Sequence, residues 1–165
     1  MYKNNNKRLY FTLTLLLLIL STSCGYHLRG NIALPERYQT VHILDKGSRD
    51  ISLRLKQVML ENKVTLVDSA ELASSIITVY SRQINRRAIA VRGKEVKEYE
   101  IQLNVSFAVQ NTDGSQRGES QNISSIRRYS YNNAQVLGAS NEEQILIKEM
   151  QDDIVRQILR RLTKI

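Results

Sequence analysis

Tyr99-Glu100-Ile101-Gln102-Leu103-Asn104-Val105-Ser106-Phe107-Ala108-Val109 is the stretch that decides the fold of this chain. Tyr99, Ile101, Leu103, Val105, Phe107 and Val109 alternate without a break with Glu100, Gln102, Asn104, Ser106 and Ala108. Side chains on a strand point alternately to opposite faces, so one face here is buried and the other meets water or a polar partner.

Downstream, Asn111-Thr112-Asp113-Gly114 is a turn signal, and a further strand follows over about Gln121 to Tyr131, with Ile123, Tyr129 and Tyr131 on one parity. Upstream, Ile76 to about Ala90 reads as one longer strand, and Thr40 to Leu44 as a short one closed by a turn at Asp45-Lys46-Gly47. Val64 to Val67 is too short to assign, and Ser69 to Ser74 fits a helical turn. Two stretches carry helical periodicity. Ile51, Leu55, Val58 and Met59 form the first stripe, closed by Asn62-Lys63. Ile147, Met150, Ile154, Ile158 and Leu162 form the second, behind a capping-box signature at Ser140-Asn141-Glu142-Glu143. The order is strand, helix, three strands, helix. It predicts an α+β two-layer sandwich, with two helices packed on one face of a four-stranded mixed sheet.

The N-terminus has its own pattern. Lys3, Lys7 and Arg8 precede an apolar run from Leu9 to Leu20, then Ser21-Thr22-Ser23-Cys24. The run is shorter than the roughly 20 apolar residues that a bilayer span needs. Its charge, apolar and small-residue order is that of a secretory signal peptide. A cysteine at the cleavage point marks a lipoprotein. Residues 1–23 are therefore expected to be removed, and Cys24 to carry covalent N-acyl and S-diacylglycerol lipid. Gly25 after it, in place of an aspartate, favours the outer membrane. Residues 24–165 are read as a single domain with a lead-in over 24–39. Three of the 24 basic residues fall in the leader, against 16 acidic residues in all, so the mature chain stays basic. With Cys24 lipidated, no cysteine is left for a disulfide.

Catalytic signatures are missing from the sequence: no Gly-x-Ser-x-Gly, no His-Glu-x-x-His and no phosphate-binding glycine loop. His27 and His42 have no nameable partner, and Asp152-Asp153 reads as an exposed helix face. No metal-ligand spacing occurs, so neither cofactor nor metal is expected beyond the Cys24 lipid. The informative charge is local. Arg82, Arg86, Arg87, Arg92, Lys94 and Lys97 share a short window with only Glu95 opposing them, and Gly93 marks a bend. Arg127 and Arg128 lie on the next strand. Such a window suits an anionic ligand, because guanidinium pairs bidentately with phosphate or carboxylate. It equally suits a solvated basic face, and composition alone leaves both readings open. Nucleic acid is a poor partner for a secreted lipoprotein.

Three segments carry a resemblance. Cys24-Gly25-Tyr26-His27-Leu28-Arg29-Gly30 looks like the start of the LptE family after its lipobox. Glu98-Tyr99-Glu100-Ile101-Gln102-Leu103-Asn104-Val105 resembles its central strand. Asn133-Ala134-Gln135-Val136-Leu137, Asn141-Glu142-Glu143-Gln144 and Ile147-Lys148-Glu149-Met150 resemble its last loop and helix. The likeness runs from Cys24 to Ile165. It implies two helices on a four-stranded sheet and a non-enzymatic lipoprotein of the lipopolysaccharide translocon. Such a protein plugs the LptD β-barrel of the outer membrane, helps it assemble and binds lipopolysaccharide. The resemblance also implies two lipopolysaccharide-binding cations. One matches Arg92, before Gly93. The other is a lysine, where this chain has Ser140, and Arg86, Arg87, Lys94 and Lys97 are the residues that could compensate. The rival reading is a general outer-membrane lipoprotein that binds another protein or the cell wall.

Overall fold

The structure is a computed structural model that describes residues 32–93, 95–131 and 136–165. Its strands are β1 (Thr40–Lys46), β2 (Thr65–Leu66), β3 (Ser75–Tyr80), β4 (Gln83–Arg92), β5 (Glu95–Gln110) and β6 (Gln121–Ser130). Its helices are α1 (Arg49–Glu61) and α2 (Val136–Leu162). Short 3-10 turns occupy Glu36–Tyr38 and Ala70–Leu72.

The alternating segment is β5, and everything else is arranged on it. One edge of β5 pairs antiparallel with β6, from Glu98 opposite Ser130 to Phe107 opposite Gln121. The other edge is shared by β4 and β3 in succession. β1 runs parallel to β3 and to the two-residue β2. The α+β class holds, but the sheet has six strands where four were predicted. Two differences account for this. The ambiguous segment around Val64 supplies β2 as an edge, and the long strand expected over 76–90 is two strands.

The break between β3 and β4 has a tertiary cause. Gly47, at φ +103°, and Ser48 close β1, which runs through Lys46 and so past the turn expected at Asp45. A Cβ on Gly47 would lie 3.2 Å from the Cβ of Ser81. Ser48 Oγ donates to the carbonyl of Tyr80. The end of β1 thus presses on the junction and takes one of its backbone acceptors. The consequence is a one-residue slip. Val79 stands opposite Phe107, whereas Gln83 stands opposite Asn104, so β3–β4 carries one residue more than β5. Because strand faces alternate, the slip exchanges the faces of all that follows. Odd residues of β3 face the helices, but in β4 the even ones do, Arg86 among them.

The core lies between sheet and helices. Val41, Ile43, Ile77, Val79, Ile101, Leu103, Val105, Phe107, Val109 and Ile123 are buried from the sheet. Ile51, Leu55 and Met59 of α1, and Met150, Ile154, Ile158 and Leu162 of α2, meet them. Each such side chain taken fully out of water contributes about 1.5–3 kcal/mol. Both predicted stripes therefore serve as core. The lead-in belongs to it too: Tyr38 is buried, and Ile32 and Leu34 pack on the same cluster. α2 begins at Val136, so Ser140 lies within the helix and does not cap it. Glu143, the acid of the expected capping box, is engaged outward instead, by Arg86 and Tyr129.

Candidate functional site

β4 and β5 form a long hairpin that bends at Gly93, where φ is +66°. That left-handed conformation costs a residue with a Cβ about 1–2 kcal/mol. Arg92 stands opposite Glu95 at the tip. Arg92 is exposed and has no ion-pair partner among the described residues, whereas Lys97 reaches Glu95 at 2.5 Å. The hydrogen bond from Lys97 holds the Glu95 carboxyl below its ordinary range. Lys94 lies outside the described residues, as does Cys24.

Arg86 and Arg87, adjacent in sequence, work on opposite faces. Arg86 points to the helix side. Its guanidinium lies 4.7 Å from the centroid of the Tyr99 ring and donates to Glu143 at 3.0 Å. Tyr129 donates its hydroxyl to the same Glu143 oxygen at 2.6 Å, and Tyr99 stacks on Tyr129 and meets Tyr131 edge to face. Burial and the bond to Glu143 push the Tyr129 hydroxyl up to about 12. Arg86, Tyr129 and Glu143 border a cleft of about 300 Å³ whose walls also include Tyr131, Ser140, Gln144 and Ile147. Arg87 lies on the face without helices. There it and Arg128 grip the buried carboxylate of Glu100 from the two flanking strands, at 2.6 and 2.9 Å. Arg82, the first of the basic window, pairs with Asp50 of α1 at 2.8 Å.

The basic window is therefore four environments: a tip with Arg92 and Lys97, an aromatic cleft with Arg86, an ion-paired sheet face with Arg87, and Arg82 against Asp50 of α1. Ser140 and Arg86 border one cleft, which sequence separation hid. Tyr99, Tyr129, Glu100 and Glu143 were not singled out as site residues. The shared parity of the tyrosines was the only signal available for them. Asp152 and Asp153 are no dyad: Asp152 pairs with Arg54 at 2.5 Å, and Asp153 accepts from Ser125 at 3.0 Å. His42 Nδ1 lies 2.9 Å from the carbonyl of Val67, a packing contact beside β2. Among the described residues, no three His, Cys, Asp or Glu side chains converge as metal ligands, and no helix is long and apolar enough to cross a membrane.

Fold and site together define a small two-layer α+β domain that displays a cationic hairpin. Residues 38–162 match the family described as LptE: Lipopolysaccharide-assembly, and the chain belongs to that family. A relative from Photorhabdus laumondii, named LPS-assembly lipoprotein LptE, is 24% identical over 91% of this chain and 84% of its own length. The solution structure of an uncharacterized lipoprotein B from Nitrosomonas europaea matches with a TM-score of 0.71 and 27% identity, over 84% of this chain and 90% of that one. The crystal structure of rare lipoprotein B from Shewanella oneidensis shares the fold, with a TM-score of 0.67 and 20% identity over 76% and 94% of the two chains.

Proposed function

We propose that this chain is the lipoprotein subunit of the lipopolysaccharide translocon. In this reading Cys24 carries N-acyl and S-diacylglycerol lipid after removal of residues 1–23, and tethers the domain to the periplasmic side of the outer membrane. The domain plugs the LptD barrel, assists its assembly and binds lipopolysaccharide in transit, without catalysing a reaction. The observation that carries this is the family match across 38–162, on a fold whose longest hairpin ends in an exposed arginine.

The chemistry supports a phosphate-bearing lipid. Such molecules aggregate through divalent cations that bridge their phosphates. Arginine can replace those ions, pairing bidentately with one molecule at a time. Arg92 supplies a guanidinium at the tip that is unpaired among the described residues. Arg86 supplies a cation in the cleft that Ser140 borders, which supports it as the substitute for the family's lysine. Both arginines are ion-paired, Arg86 with Glu143 and Arg87 with Glu100, and Arg86 is favoured by its place in the cleft, which Arg87, on the opposite face, does not line.

The test is co-purification. The tagged full chain, extracted from outer membranes in mild detergent, is expected to bring down a heat-modifiable barrel protein and glycolipid phosphate. Recovery with a periplasmic partner alone would favour the rival lipoprotein reading.

A further inference from the structure

The sheet has three free edges, and the fold treats them differently. A bare edge exposes unpaired main-chain N–H and C=O groups, a template for another strand. At one end the edge is β2, only two residues long. The outer edge of β6 is capped by side chains. The Ser124 carbonyl accepts from Gln157 of α2 at 3.2 Å, and the Ile126 carbonyl from Arg127 at 2.8 Å. The outer edge of β4 has no such cover among the described residues.

Register shows which β4 groups point outward. Tyr131 N–H donates to the Lys97 carbonyl at 2.7 Å, in line with the β5–β6 register. The odd residues of β5 therefore bond to β6, and its even residues face β4. Asn104, Gln102 and Glu100 stand opposite Gln83, Asn85 and Arg87. The alternation leaves the N–H and C=O of Ile84 and Arg86 directed away from the sheet. Residues 83–88 are exposed. Beyond Ala88 the register shifts twice, and such irregularities blunt an edge. One short length of regular edge is thus left open.

Its charge indicates what it would take. β4 carries Arg86, Arg87 and Arg92 and no acid. Arg87 shares Glu100 with Arg128 and still has 73% of its side chain exposed. Opposite charges on neighbouring strands stabilise their pairing.

We propose that the β4 edge from Gln83 to Ala88 receives an added strand, an extended acidic segment of the barrel that encloses the domain. The inference rests on the plug reading above. The wall strands of a closed barrel have no free edge to offer. The segment is therefore a loop or terminus of the partner reaching into the lumen. Main-chain hydrogen bonds to Ile84 and Arg86 hold it, and its acids select the arginines. Arg92 lies past the irregular stretch and stays free for ligand.

The experiment measures main-chain amide exchange, residue by residue, in the tagged full chain alone and co-purified with its barrel. In the free chain Ile84 and Arg86 should exchange fast, and Asn85 and Arg87 slowly. In the complex Ile84 and Arg86 should slow by about fivefold or more, the effect of one net hydrogen bond. Ile84→Pro removes an outward donor at an edge position, where proline is tolerated. It should return Arg86 to its free rate within the complex. Equal exchange of Ile84 and Arg86 in both samples overturns the proposal. So does an Arg86 amide that stays slow in Ile84→Pro, because a wall would then be shielding it without a strand. A peptide arm needs neither that variant nor the barrel. A soluble peptide of alternating glutamate and valine should slow the same two amides in the free chain, and its lysine counterpart should not. An equal response to both peptides, or to neither, overturns the proposal. If no barrel co-purifies, the plug reading fails, and the peptide arm still decides whether the edge takes an acidic strand.

Discussion

Arg87 Nη2 lies 2.6 Å from Glu100 Oε1, across the β4–β5 pair, while Arg128 reaches the other carboxylate oxygen from β6. One acid thus ties three strands together on the face that no helix covers. Its hydrogen bonds to Arg128 and Arg87 hold the Glu100 carboxyl below the ordinary range. A carboxyl depressed on folding contributes stability that is fully present above its unfolded value, 4.5, and is lost as pH falls through the lower folded value. Glu100→Gln is therefore expected to flatten the fall of Tm below pH 4.5 and to leave its slope at neutral pH unchanged. Thermal melts of both proteins from acid to neutral pH check this, and parallel curves would contradict it.

Tyr129 titrates at the opposite end of the scale. Burial and the bond to Glu143 raise it to about 12 from an ordinary value of 10.0. A group raised on folding stabilises the native state fully below its unfolded value, and that contribution is lost as pH climbs through the folded one. One tyrosinate step in an ultraviolet titration should come only near pH 12, and it should be missing from Tyr129→Phe. If Tyr129→Phe instead removes a step near pH 10, burial and the Glu143 bond do not raise this hydroxyl.

How much of this was legible depends on where the signal resides. β5 and the stripe of α2 were readable because their periodicity is intrinsic to the residues, and the core follows it. The β3–β4 break was not. Tyr80-Ser81-Arg82-Gln83 contains neither glycine nor proline, and its cause is Ser48 and Gly47, more than thirty positions away. Missing that slip hid which face Arg86 and Arg87 occupy. The start of α2 was misplaced because Ser140 to Glu143 has the composition of a cap, while Glu143 is drawn to Arg86 and Tyr129.

Phe107 carries the end of β5 into the core, fully buried where β3 and β6 both pair with that strand. Phe107→Ala removes a ring and leaves a cavity, which costs about 3–5 kcal/mol. Urea denaturation should show a lowered midpoint at unchanged slope, the shift multiplied by the slope giving that loss. A loss below 1 kcal/mol would mean that the site collapses around the deletion.

Gly93 separates conformational strain from contact. A Cβ added there would meet nothing within 4 Å, yet φ is +66°. Gly93→Val should therefore cost about 1–2 kcal/mol through the backbone alone. Amide exchange should rise in Val91 to Val96 and stay unchanged around Phe107. Faster exchange throughout β5 would instead show that the hairpin tip and the core unfold together.

Arg92 carries the sharpest consequence for function. Its guanidinium is exposed at the tip and its nearest cross-strand acid, Glu95, is taken by Lys97. A charge-assisted hydrogen bond contributes about 1.5–3 kcal/mol, so Arg92→Glu should weaken lipopolysaccharide binding by roughly tenfold or more. The melting temperature should not move, because the side chain packs on nothing in the core. Arg87→Gln provides the contrast: it loosens Glu100 and should lower stability while leaving binding close to that of the unmodified chain. Binding of labelled lipopolysaccharide by the full chain in detergent, measured beside thermal melts, separates the two. Equal affinity for Arg92→Glu and the unmodified chain would remove the hairpin tip from the ligand site and leave the Arg86 cleft to account for it.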